Sequence, residues 1–223
     1  MKLSKAIAGI FGIASVLGIA SSAQAASITG ITGFQTFGDQ MTGMQVKVTY
    51  TDNSTSSAVW AATGAGSGGA STSDWSLSQT GDTFGGDWTF INTGSKTISS
   101  LFINAITGST VFDQTDPSPG TPDSAQGITF AAAIGFLAPD FVEYGDIVNV
   151  NGNPAVGDIY GNLTLTWRNG FATNQRLVFD ADTDTVARPV PVPGLAVGAI
   201  LAAGVFSGAE IKRRKAQAKQ AQA

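Results

Sequence analysis

Strand periodicity is the feature of this chain that most restricts its fold. Met44, Val46, Val48 and Tyr50 alternate with Gln45, Lys47 and Thr49, and Leu163, Leu165 and Trp167 alternate with Asn162, Thr164 and Thr166. A period of two puts successive side chains on opposite faces, as in a strand with one face buried. Further runs at 58–62, 75–79, 88–92, 98–105, 128–136 and 175–180 are rich in Thr, Val, Ile, Phe and Trp, and turn-forming residues bound them. Residues 26–188 contain no long capped segment of helical period. The pattern predicts an all-β domain there, an antiparallel β-sandwich of jelly-roll-like type. The Gly- and Ser-rich stretch 64–71 reads as a flexible loop, and 116–123, with three prolines, as an excursion that cannot continue a ladder.

Two absences restrict the chemistry. The chain has no His and no Cys. That excludes Ser-His-Asp and thiol catalysis, imidazole metal sites, zinc ribbons and disulfides. Carboxylate, hydroxyl and amide chemistry remain.

Charge divides the chain into three. Residues 1–25 carry Lys2 and Lys5 without an acid, residues 26–188 are strongly acidic, and the last stretch holds Lys212, Arg213, Arg214, Lys215 and Lys219 against Glu210. An acidic body lacks the clustered basic face that nucleic acid requires, so no nucleic-acid partner is expected.

The ends carry their own signals. Lys2 and Lys5, the apolar run 6–20, and then Ala23-Gln24-Ala25 form the n-region, h-region and small-x-small site of a secretory signal peptide spanning 1–25. Cleavage by signal peptidase is expected after Ala25, which exports the body. At the other end, Pro189, Pro191 and Pro193 alternate with Val190 and Val192 and are followed by Gly194. Prolines fix φ and withhold donors, so 189–194 should be an extended, accessible linker. An apolar transmembrane helix is expected over 195–211, with the basic cluster Lys212, Arg213, Arg214 and Lys215 opening a cytoplasmic tail, 212–223, as a stop-transfer signal. Its charge-free core, 195–209, would rise about 22 Å as a helix, with snorkelling basic side chains extending its reach.

This order of a signal peptide, an acidic β-rich body, Pro-x-Pro, a short apolar helix and a terminal Arg/Lys cluster resembles the PEP-CTERM proteins. The resemblance is strict only over the tail. It implies a sorting signal read by an exosortase, a membrane-embedded protease, and a destination at the cell surface or in the extracellular matrix of an exopolysaccharide-producing bacterium. Val192 stands where the family has its central Glu, so the motif resembles the cyanobacterial-type subclass. The resemblance therefore implies membrane anchoring more directly than cleavage at Pro191–Pro193.

Within the body, Asp180, Asp182 and Asp184 alternate as carboxylates do in the first half of an EF-hand loop, and could offer oxygens to Ca²⁺. Thr185 replaces the loop glycine and Pro191 the closing Glu, so the segment reads better as a solvated acidic turn after the last strand. A similar Ala-Asp-Thr-Asp near the tail of PEP-CTERM bodies implies a structural role. No cofactor is expected beyond that weak Ca²⁺ motif, and chelation should leave the melting temperature nearly unchanged. Gly64, Gly66 and Gly69 satisfy G-x-G-x-x-G, but loop and strand rather than a helix follow, so a hairpin loop is the expectation. Trp60 and Trp75 flank this stretch and could stack on sugar rings, making a lectin-like module for exopolysaccharide the alternative function. Asp82 with Asp87, or Asp140 with Glu143, are the carboxylate pairs a glycoside hydrolase would need. The primary expectation is a non-enzymatic surface or matrix protein.

Overall fold

A computed structural model describes residues 26–115, 120–122, 124 and 126–187. The signal peptide, the sorting motif, the transmembrane span and the basic tail expected at the termini lie outside the described residues. Among those described, no helix is long and apolar enough to cross a membrane.

The described chain is all-β. In order, its strands are β1 (Ala26–Ile28), β2 (Ile31–Gly33), β3 (Gln45–Tyr50), β4 (Thr55–Val59), β5 (Ala61–Gly64), β6 (Ser67–Ser71), β7 (Trp75–Thr80) and β8 (Trp88–Asn92). They continue with β9 (Ile98–Asn104), β10 (Thr110–Asp113), β11 (Ala131–Ala132), β12 (Phe141–Val150), β13 (Ile159–Phe171), β14 (Arg176–Asp180) and β15 (Asp182–Val186). Two short 3₁₀ turns, Gly38–Met41 and Ile106–Gly108, interrupt them. A nine-stranded sheet runs β2-β15-β10-β13-β9-β3-β4, with β12 on the other side of β13 and β1 beside β12; a six-stranded sheet runs β11-β14-β8-β7-β6-β5. Pairing is antiparallel except between β1 and β12.

Alternation explains how the sheets meet. Val46, Val48 and Tyr50 of β3 are buried while Gln45 and Lys47 are exposed, and Leu163, Leu165 and Trp167 of β13 share one face as expected. From the smaller sheet, Trp75, Leu77, Trp88, Phe90, Leu177 and Phe179 enter the same core. Removing this much apolar surface from water is the dominant stabilising term. Trp88 lies near its middle, stacked on Phe179 at 5.8 Å and tilted against Trp60 at 5.3 Å. A second, smaller cluster, Ile28, Val111, Val148, Val150, Ile159 and Val186, packs on the larger sheet. Phe112 belongs to the main core and Val111 to this second cluster, so the two lie on opposite faces of β10.

The chain changes sheets at two places that bear on the site. Trp60 separates β4 from β5; its N–H donates to Met44 O at 2.8 Å and its carbonyl accepts from Gly43 N–H at 2.9 Å. Ala181 separates β14, in the smaller sheet, from β15, in the larger, and its carbonyl accepts the Trp88 indole N–H at 2.9 Å.

Three expectations need correction. The stretch expected to be a flexible loop, 64–71, is mostly strand: β5 and β6 form a hairpin, and Gly66 takes the turn at φ +66°. Glycine is required at 68 because a Cβ there would collide with the Gly38 backbone and the Trp60 indole. The run 128–136 forms only the two-residue β11, since Gly135 turns the chain at φ +91° and leaves Ile134 and Phe136 in solvent. The acidic segment after β14 is not a solvated turn but β15, whose aspartates 182 and 184 are buried.

Candidate functional site

Register brings the aspartates of two neighbouring strands together. In the β10–β15 ladder, Asp113 stands opposite Asp182 and Val111 opposite Asp184. Directly opposed residues share a face, so Asp113, Asp182 and Asp184 point to the side that carries the second apolar cluster. Carboxylate oxygens of these three residues lie within 4.8 Å of one another. Asp113, Asp182 and Asp184 are 1 %, 2 % and 1 % exposed. Asp158, also buried, lies beyond; its carboxylate accepts the Thr121 N–H at 2.6 Å and the Thr121 hydroxyl.

The partners of each oxygen differ. Asp182 Oδ1 accepts from Thr83 Oγ1 at 2.9 Å and from Thr183 N–H at 2.8 Å. Ser124 Oγ donates to Asp113 Oδ2 at 3.0 Å. Asp113 Oδ1 and Asp184 Oδ2 are buried with no N–H or hydroxyl donor, so only a proton held between the two carboxyls could bond them. No described lysine or arginine neutralises the group. Among the described residues, Lys96 pairs with Asp52, Lys47 lies over Phe102, Arg168 over Phe141 and Arg176 over Phe136. Burial therefore acts on the carboxyls almost unopposed and raises all three pKa values. Asp182 is pushed up to about 6 by burial and the nearby Asp82 charge, against the pull of its bonds to Thr83 and Thr183. Asp113 is raised by burial and then by Asp184, and Asp184 by burial and then by Asp182.

A close lid shapes the site. A Cβ on Gly127 would meet the Asp113 backbone and come within 2.6 Å of Asp113 Cγ. Gly127→Ala should therefore push this segment off β10 and cost on the order of 1–3 kcal/mol. Urea unfolding of wild type and variant measures it, and an unchanged midpoint would mean that the segment does not close on Asp113.

The aspartates expected to act as one ligand set are thus split. Asp180, at the end of β14, is partly exposed and is raised by burial and then by Asp87; the crossing at Ala181 sends Asp182 and Asp184 to the other sheet. Asp113, which spacing along the chain did not suggest, takes its place. The one signal for it in sequence is a carboxylate closing the apolar pair Val111-Phe112.

The nominated sugar platform is overturned. Trp60 and Trp75 are both 0 % exposed. The Trp60 indole donates to Gly38 O at 2.8 Å and that of Trp75 to Ser56 Oγ at 3.0 Å, so both faces and both polar handles are spent on the core. Gly64, Gly66 and Gly69 lie in a strand–turn–strand hairpin, where there is no helix terminus to hold a pyrophosphate. Of the carboxylates nominated for hydrolysis, Asp140 Oδ2 accepts the Arg168 N–H at 2.7 Å. The groove of about 340 Å³ beside it, lined by Leu137, Trp167, Asn169 and Gln175 among others, contains no second carboxylate. Asp82 Oδ1 accepts the Phe84 N–H at 3.3 Å, whereas Asp87 lies beside Asp180.

No protein-family model, no curated protein and no solved structure matches this chain.

Proposed function

We propose that the chain is a non-enzymatic surface protein: an exported β-sandwich of jelly-roll-like type, held to the membrane by a C-terminal helix and sorted through a PEP-CTERM-like signal. The observation that carries this reading is the order of the ends, with the n-region, apolar run and Ala23-Gln24-Ala25 before the body and Pro-x-Pro, apolar run and Lys212-Arg213-Arg214-Lys215 after it. Its partners on this reading are signal peptidase, an exosortase-type membrane protease and the membrane itself, and its place is the cell surface or extracellular matrix. The described domain is consistent with a structural role. All four of its tryptophans lie in the core between the sheets, and its charged groups are mostly carboxylates.

Fractionation tests the reading. An antiserum to the body and a tag after Ala223 follow the two halves of the chain in cells that encode an exosortase. The expected result is an exported body, partly released, with the tag retained in the membrane. Replacing Lys212, Arg213, Arg214 and Lys215 with Gln should increase the protein lost from the membrane, since the stop-transfer charge is gone. Pro191→Ala with Pro193→Ala should leave insertion intact and reduce release. Body and tag found together in the soluble fraction would sink the anchor; both remaining in the membrane in every strain would sink cleavage and spare the anchor.

A further inference from the structure

We propose that Asp113, Asp182 and Asp184 form a calcium site that clamps β15, the last described strand, to β10. Three observations carry it. Carboxylate oxygens from two paired strands converge within 4.8 Å, a separation that Ca²⁺–oxygen bonds of about 2.4 Å can bridge. Asp113 Oδ1 and Asp184 Oδ2 are fully buried with no donor, and a buried acceptor without a partner is costly. The described lysines and arginines are engaged elsewhere, so none of them neutralises the group.

The donor set selects the ion. With no His or Cys in the chain, soft and borderline metals lack their ligands. Ca²⁺ accepts six to eight oxygens in loose geometry, whereas Mg²⁺ demands a strict octahedron and retains several waters, for which a site this enclosed is poorly suited. The hydroxyls of Thr83 and Ser124, already bonded to Asp182 and Asp113, stand beside the carboxylates as further oxygens. A proton shared between Asp113 and Asp184 is the competing arrangement. It removes one negative charge from three, where Ca²⁺ removes two. The consequence of calcium is mechanical: the strand from which the chain leaves for its C-terminal segment becomes tied to the middle of the larger sheet.

The test uses the full chain in mild detergent, melted in chelator, in Mg²⁺ and in Ca²⁺ at about 10 mM, roughly 100 times the Kd of the tighter extracellular calcium modules. Ca²⁺ should raise the melting temperature by on the order of 5–10 °C over chelator, as for a ligand at about 100 times its Kd, in place of the nearly unchanged value expected from the sequence motif alone. Mg²⁺ should do much less. Asp113→Asn should remain folded in chelator, melt no lower than wild type there, and lose the calcium shift. Asp184→Asn is the second variant, should the first fail to fold. Independently, Tb³⁺ bound to the wild type should luminesce on excitation of tryptophan, because the Trp88 indole is bonded to Ala181, next to Asp182, and Ca²⁺ should quench the signal by displacement. A folded wild type with neither a calcium shift nor terbium emission overturns the proposal in favour of the shared proton. A calcium shift undiminished in both Asn variants places the ion elsewhere and overturns it equally.

Discussion

Replacing Trp88 with alanine should lower the melting temperature of the domain by on the order of 10–30 °C. Trp88 is 0 % exposed and touches the aromatic residues that join the sheets: Phe179 at 5.8 Å, Trp60 at 5.3 Å and Phe112 at 6.3 Å between ring centroids. Truncating a buried Trp costs about 3–5 kcal/mol because the cavity left behind collapses only in part. The Ala181 carbonyl also loses its indole donor, and an unpaired buried acceptor adds about 1–3 kcal/mol. Each kcal/mol corresponds to about 2–4 °C in a domain of this size. Trp88→Phe separates the two parts, since it retains most of the packing and loses only the hydrogen bond. Thermal unfolding followed by near-UV circular dichroism reads both variants. A Trp88→Ala protein melting within about 2 °C of wild type, well short of the cavity cost, would mean that the two sheets do not share this core.

How far the sequence discloses this arrangement depends on which way a strand's polar side faces. β3, β7, β8, β9, β13 and β14 are legible because their apolar positions are the buried ones, as in Val46 and Val48 or Trp88 and Phe90. β15 is enclosed on both faces, with Asp182 and Asp184 buried on one side and Thr183 on the other. A rule that sends carboxylates to solvent reads such a strand as a turn. β6 is hidden for another reason. Its glycines look like a linker, yet Gly68 and Gly69 are there because Gly38, Trp60 and Leu77 approach too closely for a side chain. In β12, Asp146 at φ +55° interrupts the alternation between Tyr144 and Ile147.

The candidate site was half legible. Asp182 and Asp184 stand out as alternating carboxylates, but Asp180 belongs to the same pattern and goes elsewhere, because no local signal marks the change of sheet at Ala181. Asp113 enters only through the β10–β15 pairing, between segments far apart in the chain. The misplaced tryptophans show the same limit. Trp60 stands just before the Gly- and Ser-rich stretch 64–71, which suggests a surface, while its burial depends on Gly38 and Trp88. Long-range partners decided these positions, and composition near each residue does not contain them.

In chelator, the protein should become steadily less stable as pH rises from about 5 to 8. An aspartate whose folded pKa lies above its unfolded value of 3.8 binds its proton more tightly in the native state. Its contribution is complete below 3.8 and is lost as pH climbs through the folded value. For Asp182 that value is about 6, a difference of on the order of 3 kcal/mol. Asp184 and Asp113 are raised further, so the loss continues through neutral pH as each is forced to ionise beside the others. The groups facing them, Asp82, Asp158 and Tyr144, add no positive charge at these pH values. Asp180, raised by burial and Asp87, acts in the same direction. Asp52 works oppositely: its exposed bonds to Lys96 and Ser54 hold it below 3.8, so its contribution falls away only in stronger acid and leaves this window clear. Calcium should reverse the slope, because an ion bound to carboxylates competes with protons and holds them ionised. Melting temperatures at half-unit pH steps, with chelator and with Ca²⁺, give both curves. Asp113→Asn should flatten the chelator curve by removing the most strongly perturbed acid. A wild type that gains stability between pH 5 and 8 in chelator would show that the three carboxylates are not enclosed together.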